Sequence, residues 1–380
     1  MKKRFLLTTL ALVLVMGAGT ALVVTSGDDT DEKGPSAKEP GLPAVPGPGS
    51  LGLLDEPTWT SEDFPAPGAD GVDLLAAVTL VYGPAAVEVR EQRTGEVRWT
   101  LTRGTDLSEG ARWRPSAGNR PRLVGAGQDV TVLTEYRRPT GDGLVEDGLA
   151  MLSASDGQVL WLAPLTPPHP PSAGPVAALV LADDQVAVAT VDQEVVVVNL
   201  AAGARLWTGR VGVPTMIADD TLLSMSGGRM TTVNLLTGAP SWTLDHAKAE
   251  PVAAVADVVV VHGDAELVVL DAATGQRLVD IGDPADPHCV SDDDSIACAA
   301  AGRVDVFNVW DGTVREVEVD GHLDAVMRDR LFLTSDDRHY TVDFDGETLD
   351  ESLPGAVVTV DVSQLVVTDG EVFSGYRVST

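Results

Sequence analysis

Short apolar runs separated by turn residues fill most of this chain, from about Pro57 to the C-terminus. Within segments such as VEVRE and LVVLD, apolar residues alternate with polar ones. A period of two is typical of a β-strand with one buried face. The runs are rich in Val, and no window shows the period of about 3.6 residues that an amphipathic helix would give. The pattern therefore predicts an all-β body over residues 57–380.

One segment recurs along this body: an alternating strand, a glycine turn and a further strand, as in VVVVNLAAGARLW and MTTVNLLTGAPSW. Glycine suits the positive φ angle that a tight hairpin turn requires. Four copies place a tryptophan four residues after the glycine, where it offers a large apolar face to a neighbouring unit. The turn glycines are Gly95, Gly157, Gly203, Gly238, Gly275, Gly312 and Gly346, and the tryptophans predicted to pack between units are Trp99, Trp161, Trp207 and Trp242.

Two more strands precede each of these segments, so every unit is predicted to be a four-stranded antiparallel meander of about 31–40 residues. Meanders repeated at this period are the blades of a β-propeller. After Gly346 the chain has three strands left, and we expect PTWTS, around Trp59, to supply the fourth strand and close the ring. Eight blades are predicted, with seven as the alternative.

The recurring pattern, seen best in LDAATGQRL and VNLLTGAPSW, resembles the propellers of the quinoprotein family. The resemblance covers roughly residues 57–380 and implies an eight-bladed ring with tryptophan packing between blades. The enzymes of that family oxidise alcohols or sugars with pyrroloquinoline quinone and a calcium ion, and many carry two vicinal cysteines. This chain has no vicinal cysteine pair, and no position matches a catalytic Asp.

The resemblance is therefore interpreted as one to a non-catalytic member, for which we expect no cofactor, no metal and no enzymatic activity. A quinoprotein-type oxidoreductase with pyrroloquinoline quinone and calcium in the axial funnel remains the alternative. Pairs of Asp residues fall at equivalent hairpin turns, where Asp is favoured because its side chain bonds the local backbone. No histidines have metal-ligand spacing on one strand; they are His169, His246, His262, His288, His322 and His339.

The N-terminal segment and the two cysteines indicate an exported protein. Lys2, Lys3 and Arg4 precede an apolar run that extends to about Thr25. Such a run predicts a membrane-spanning signal anchor over residues 1–26, with secretion after signal cleavage as the alternative. Residues 27–56 are rich in Pro and Gly and are predicted to be a disordered linker. The two cysteines of the chain, Cys289 and Cys298, are expected to form a disulfide; two buried free thiols are the alternative.

The net charge of the chain excludes some classes of binding partner and favours others. The formal charge of -31 leaves no basic footprint for nucleic acid. An acidic surface favours a basic partner. We expect a single-pass protein of the cell membrane whose extracytoplasmic, monomeric propeller acts as a scaffold for an unknown protein or cell-envelope partner. The loop APLTPPHPPSAGP is interpreted as a rigid connection between blades, with a polyproline-type ligand segment as the alternative.

Overall fold

The computed structural model describes residues 51, 53, 56–65, 68–114, 120–125, 130–173, 177–245, 250–263, 266–282, 288–300, 302–336, 338–361 and 363–378. The anchor expected over residues 1–26 and most of the linker expected over residues 27–56 lie outside these ranges. Within them, no helix is long and apolar enough to cross a membrane.

Strands account for nearly all of the regular structure in the described ranges. In chain order they begin with β1 (Trp59–Thr60), β2 (Gly71–Leu75), β3 (Val78–Tyr82), β4 (Ala86–Glu91), β5 (Val97–Thr102), β6 (Arg112–Trp113), β7 (Arg122–Val124), β8 (Thr131–Thr140), β9 (Leu144–Ser153) and β10 (Val159–Pro164). A short 3-10 helix, Pro171–Ala173, follows β10.

The rest of the chain continues in regular groups of four strands. These are β11 (Ala177–Ala182), β12 (Val186–Val191), β13 (Glu194–Asn199), β14 (Ala204–Gly209), β15 (Val213–Ala218), β16 (Thr221–Ser226), β17 (Arg229–Asn234), β18 (Pro240–Asp245), β19 (Glu250–Val255), β20 (Val258–His262), β21 (Leu267–Asp271) and β22 (Arg277–Gly282). The last are β23 (His288–Ser291), β24 (Ser295–Ala300), β25 (Arg303–Asn308), β26 (Val314–Glu318), β27 (His322–Met327), β28 (Arg330–Ser335), β29 (Arg338–Asp343), β30 (Thr348–Asp350), β31 (Ala356–Val360), β32 (Gln364–Thr368) and β33 (Phe373–Arg377).

These strands form eight antiparallel sheets, which confirms the eight-bladed propeller and excludes the seven-bladed alternative. Blade 1 is β2–β5, blade 2 is β6–β10, and blades 3 to 7 take the next five groups of four. Blade 8 has the order β31-β32-β33-β1, so its outer strand comes from the other end of the chain. The first strands of blades 3 to 8 contact one another in order, and β31 contacts β2, which in turn contacts β7 of blade 2. They therefore line the central axis of a closed ring.

The ring closes where β1 pairs with β33, with Trp59 opposite Gly375. The amide of Thr58 donates to the carbonyl of Gly375 at 2.8 Å. Leu51 and Leu53, which the sequence analysis assigned to the linker, belong to this packed region. Leu51 is 4% exposed, and Leu53 forms a β-bridge with Val378. Closure of this kind removes an exposed sheet edge.

The middle strands of the blades are buried on both faces, unlike the one-sided burial predicted from their alternation. All five residues of β3 are buried. In β4 the polar alternates Glu88 and Arg90 are buried as well, and their side chains form an ion pair at 2.6 Å. The physical reason is that each blade is packed between two others, so both faces of its middle strands are covered.

Blade 2 departs from the four-stranded plan. Strands β8 and β9 have ten residues each and extend beyond the other blades' hairpins. The extension has partners on both edges: β6 pairs with β8, and a β-bridge joins Val145 to His169. Because an extended hairpin would otherwise present unpaired backbone groups, its neighbours in the chain supply the missing hydrogen bonds.

Candidate functional site

A disulfide joins the first two strands of blade 6. Cys289 on β23 and Cys298 on β24 are directly opposite each other, with a Cα–Cα distance of 4.1 Å, and their sulfurs are bonded. Cys298 is buried at 1% exposure. Since β23 belongs to the ring of first strands, this disulfide lies beside the central axis.

Four tryptophans make the same contact with the following blade. Each indole lies against the turn glycine of the next blade and donates its Nε1–H to the carbonyl oxygen three residues before that glycine. The four indoles are partly buried. The bonds are Trp99 to Ala154 at 3.1 Å, Trp161 to Leu200 at 2.8 Å, Trp207 to Leu235 at 2.8 Å, and Trp242 to Ala272 at 2.8 Å.

This tryptophan contact stops after blade 4, because the equivalent positions of blades 5 to 7 hold Val279, Glu316 and Asp350. Asp350 has a different role. Its Oδ2 accepts hydrogen bonds from Arg330 within blade 7, and its Oδ1 accepts one from the amide of Leu51 at 3.1 Å. The carboxylate thereby holds the N-terminal segment against blade 7.

Trp59, the predicted ring-closing tryptophan, has a different geometry from the other four. It is only 5% exposed, and the guanidinium of Arg90 lies 5.5 Å from its ring centroid. Its Cβ, rather than its indole, lies against the turn glycine Gly95 of blade 1. Its Nε1 is buried and finds no acceptor among the described residues.

A buried polar network crosses the same seam between blades 8 and 1. Thr79 donates its hydroxyl to Gln364 Oε1 at 2.9 Å, and Gln364 Nε2 donates to the carbonyl of Gln92 at 3.0 Å. Gln92 Nε2 in turn donates to Asp361 Oδ2 at 2.5 Å. Sequence reasoning missed this network because its members come from opposite ends of the chain.

The blade 2 extension contains a further buried ion pair that the sequence analysis missed. Arg137 binds Asp147 through two hydrogen bonds of 2.6 and 3.0 Å, and both side chains are 6% exposed. His169 Nε2 lies 3.3 Å from Asp147 Oδ2. The backbone of His169 is bonded to Val145 in both directions, so the proline-rich loop around it is tied to the blade, as expected for a rigid connection.

The turns that join the first strand of a blade to the second surround one end of the central axis. We call these turns, with the exposed residues around them, the acidic face. In the described part of these turns, Arg328 is the one basic residue. The carboxylates are Asp183, Asp184, Asp219, Asp220, Asp257, Asp292, Asp293, Asp294, Asp329 and Asp361.

Several of these carboxylates are committed to their own turns. Asp183 Oδ1 accepts the amides of Gln185 and Val186, both at 2.7 Å. Asp292 Oδ1 accepts the amides of Asp294 at 3.0 Å and Ser295 at 2.8 Å. Such bonds are the ordinary role of Asp in turns. The described residues contain no group of three or more His, Cys, Asp or Glu side chains that could hold a metal ion.

Burial raises the pKa of Asp183, and the carboxylates of Asp184 and Asp220 add to the effect. Asp220 belongs to the next blade, so the turns of adjacent blades are close enough to repel each other electrostatically. On the first strand of blade 1, burial also raises the pKa of Asp73, although the amide of Leu123 donates to its Oδ2 at 3.0 Å.

Two histidines from different blades contact each other at the opposite end of the central axis. His288 on β23 and His322 on β27 stack with ring centroids 4.8 Å apart. In blade 7, His339 Nδ1 lies 2.7 Å from the hydroxyl of Thr334, which donates to Asp324 at 2.7 Å. His246 lies outside the described residues. The ring brings together one pair of histidines that sequence spacing separates, and the described ranges contain no metal-binding cluster.

Comparison with known proteins agrees with this architecture. Residues 145–293 match the family model of PQQ-like repeats described as outer membrane protein assembly factor BamB. No curated protein matches the chain. The fold thus defines a β-propeller class, and residues 145–293 match PQQ-like β-propeller repeats, which confirms the resemblance seen in the sequence.

The chain is also similar to solved structures from several organisms. BamB from Moraxella catarrhalis is 16% identical, with 80% of this chain and 95% of that chain covered and a TM-score of 0.44. Hsv2 from Kluyveromyces lactis is 10% identical, with 82% and 98% covered and a TM-score of 0.43. PorZ from Porphyromonas gingivalis is 9% identical, with 81% and 45% covered and a TM-score of 0.41. We draw no conclusion about activity from these similarities.

Proposed function

We propose that this protein is a membrane-tethered, extracytoplasmic scaffold whose propeller binds a protein partner through its acidic face. The observation that carries the proposal is the hydrogen bonding of the described carboxylates of the acidic face. Asp183, Asp292 and Asp361 bond the backbone of their own turns, so they shape a rigid face rather than a reactive centre. A repeat family whose model is described as an assembly factor supports an interaction module.

Charge supports a basic partner. The chain has 57 Asp and Glu residues against 26 Lys and Arg residues. Complementary charge accelerates encounter and excludes partners of the same sign. The apolar run after Lys2, Lys3 and Arg4 would tether the propeller, with the basic flank on the cytoplasmic side. Localisation and tethering belong to the proposal and rest on the sequence.

Site-specific photo-crosslinking in the producing cell tests the scaffold role. A photoreactive residue replaces Asp184 or Asp257 on the acidic face, and a matched control replaces Leu160, which is 53% exposed on an outer strand. We expect one partner to crosslink from both acidic-face positions and not from the control. Equal crosslinking from all three positions, or none, would contradict a defined docking face.

Two further measurements separate the alternatives. Membrane fractionation of the full chain and of a variant lacking residues 1–26 tests the tether, since loss of the segment should release the protein from the membrane fraction.

Calorimetric titration of the full chain with pyrroloquinoline quinone and calcium tests the oxidoreductase alternative. Saturable one-to-one binding of the quinone would favour that alternative over the scaffold.

A further inference from the structure

Trp310 is the most exposed large apolar side chain in the described part of the chain, at 75% exposure. It lies in the turn between β25 and β26, two residues before Gly312. The repeats of this chain provide an internal comparison, since residues of several kinds occupy that position. The residues two places before the turn glycine are Arg93, Ser155, Ala201, Leu236 and Ala273 in blades 1 to 5, and Phe344 in blade 7. The turn therefore does not require a tryptophan.

The indole of Trp310 is held in place although it is exposed. Its Nε1–H donates to Asp294 Oδ1 at 2.6 Å, and its backbone amide donates to Asn308 Oδ1 at 2.9 Å. The next turn residue, Asp311, has its amide bonded to the same Asn308 oxygen at 3.1 Å. A side chain fixed in this way loses little conformational entropy when a partner binds it.

The place beside Trp310 lacks the tryptophan indole that the turns of blades 2 to 5 receive. In blade 5, a Cβ added at the turn glycine Gly275 would lie 2.7 Å from Cδ2 of Trp242. In blade 6, a Cβ added at Gly312 would meet no described atom within 4 Å. The difference arises because blade 5 carries Val279 where blades 1 to 4 carry the tryptophan. Blade 6 thus presents an open turn next to an exposed, immobilised indole.

The surroundings of Trp310 are acidic. Asp294 binds the indole directly, Asp293 is exposed in the same turn, and Asp311 follows Trp310 in the chain. Hydrogen bonds from Thr313 lower the pKa of Asp311, so this carboxylate is ionised at neutral pH. An indole face flanked by carboxylates attracts cations, and a guanidinium is the protein cation that combines positive charge with a planar shape suited to stacking.

We propose that Trp310, with the carboxylates of Asp293, Asp294 and Asp311, forms a docking point for an arginine side chain of the protein partner. The guanidinium stacks on the indole and pairs with the carboxylates beside it. This inference rests on the proposed scaffold function and specifies the partner's chemistry. Arginine is preferred over lysine because the planar guanidinium is more weakly hydrated than an ammonium group and stacks on aromatic faces.

The test uses the full chain and a short peptide of alternating arginine and glycine, titrated by calorimetry at about 0.15 M salt, where exposed charges beyond roughly 8 Å are screened. Two matched peptides replace every arginine with lysine or with citrulline, the uncharged planar isostere. We expect the arginine peptide to bind most tightly and the citrulline peptide not to bind.

Variants place the interaction on Trp310. Trp310→Ala should weaken binding of the arginine peptide at least about fivefold, in line with a partly desolvated cation–π contact. Trp310→Phe should retain most of the affinity, and Leu236→Ala, at the equivalent turn position of blade 4, should change nothing. Unchanged affinity of Trp310→Ala, or equal binding of the citrulline peptide, would overturn the inference.

The outcomes also separate this inference from the scaffold function. If no peptide binds but the acidic face crosslinks a partner in cells, the arginine site is wrong and the scaffold stands. If the arginine peptide binds through Trp310 but no partner is crosslinked, the site is supported and the scaffold function fails.

Discussion

The indole Nε1–H of Trp161 donates a 2.8 Å hydrogen bond to the carbonyl oxygen of Leu200, so a side chain of blade 2 ends on the main chain of blade 3. The same relationship joins blades 1 to 5 in sequence, through Trp99, Trp207 and Trp242. Each contact combines apolar stacking on a glycine with one satisfied polar group. Blades 1 to 5 are therefore joined by a repeated element, which the equivalent positions of blades 5 to 7 lack.

Removal of one of these indoles should destabilise the ring. Trp161→Ala is expected to lower the free energy of unfolding by about 3 kcal/mol, the lower end for a large aromatic because this indole is half-buried. Leu160→Ala is the control, since Leu160 is the next residue on the same strand and 53% exposed. Its effect should stay within about 0.5 kcal/mol. Chemical denaturation measures both, and equal effects would contradict the contact.

The glycine under the indole should be as sensitive as the indole. Gly203 has a φ of +64°, and a Cβ there would lie 2.8 Å from Cδ2 of Trp161. Gly312 has nearly the same φ, +70°, with no described atom within 4 Å of such a Cβ. Gly312→Ala should cost about 1–2 kcal/mol from the left-handed backbone alone. Gly203→Ala should lower the free energy of unfolding by more, because the clash between its Cβ and the indole of Trp161 adds to that strain. Equal denaturation midpoints for the two variants would show that the indole moves aside without cost.

The seam between blades 8 and 1 should open before the other blade interfaces when its polar network is broken. Gln364→Leu leaves the Thr79 hydroxyl and the Gln92 carbonyl without their partner, at a cost of about 1–3 kcal/mol for buried groups. Amide hydrogen exchange should then increase in β1, β32 and β33, and remain unchanged in blade 4. A uniform increase across all blades would show that the seam has no local role.

Stability should fall as pH rises through the titration of Asp73. Burial raises its pKa above the ordinary value of 3.8, so the folded state binds this proton more tightly than the unfolded chain does. Between pH 3.8 and the raised pKa, deprotonation therefore removes stability. Asp73→Asn keeps an acceptor for the amide of Leu123 and should abolish this component of the slope.

The control for this pH dependence has the opposite sign. Hydrogen bonding from Ser153 and from the amide of Gln158 lowers the pKa of the exposed Asp156. Its contribution is present above pH 3.8 and is lost as the pH falls through the lowered pKa, so Asp156→Asn should reduce stability slightly at neutral pH. Denaturation midpoints between about pH 2 and pH 7 measure both variants. A slope that Asp73→Asn leaves unchanged would refute the assignment.

Much of the fold could be predicted because it is encoded locally and repeatedly. In one short segment, a glycine such as Gly203 marks a hairpin turn, and the tryptophan four residues later marks the side chain that covers the turn of the next blade. The three-stranded remainder after Gly346 leaves a blade without its outer strand, which is enough to infer that the N-terminal strand completes it. The disulfide between Cys289 and Cys298 follows similarly from two strands joined by a short turn.

The candidate site was less predictable, because its parts come from separate repeats or differ between them. The exposure of Trp310 depends on which side of its turn faces solvent, and the open place beside it depends on Val279 in the preceding blade. Asp292 and Asp183 could be placed in turns from sequence, but their hydrogen bonds to particular amides could not.

By itself, the sequence determined the all-β class, the four-stranded repeat and the route of ring closure, since each depends on spacing within one repeat or on the strands left over at the ends; it favoured eight blades over seven, and the structure decided for eight. Only the tertiary structure decided that Glu88 and Arg90 are buried together, that His288 stacks on His322, and that Asp350 holds Leu51. The physical reason is that packing blade against blade covers both faces of every middle strand. It also brings together residues from different repeats, and no periodicity along the chain records which of them will touch.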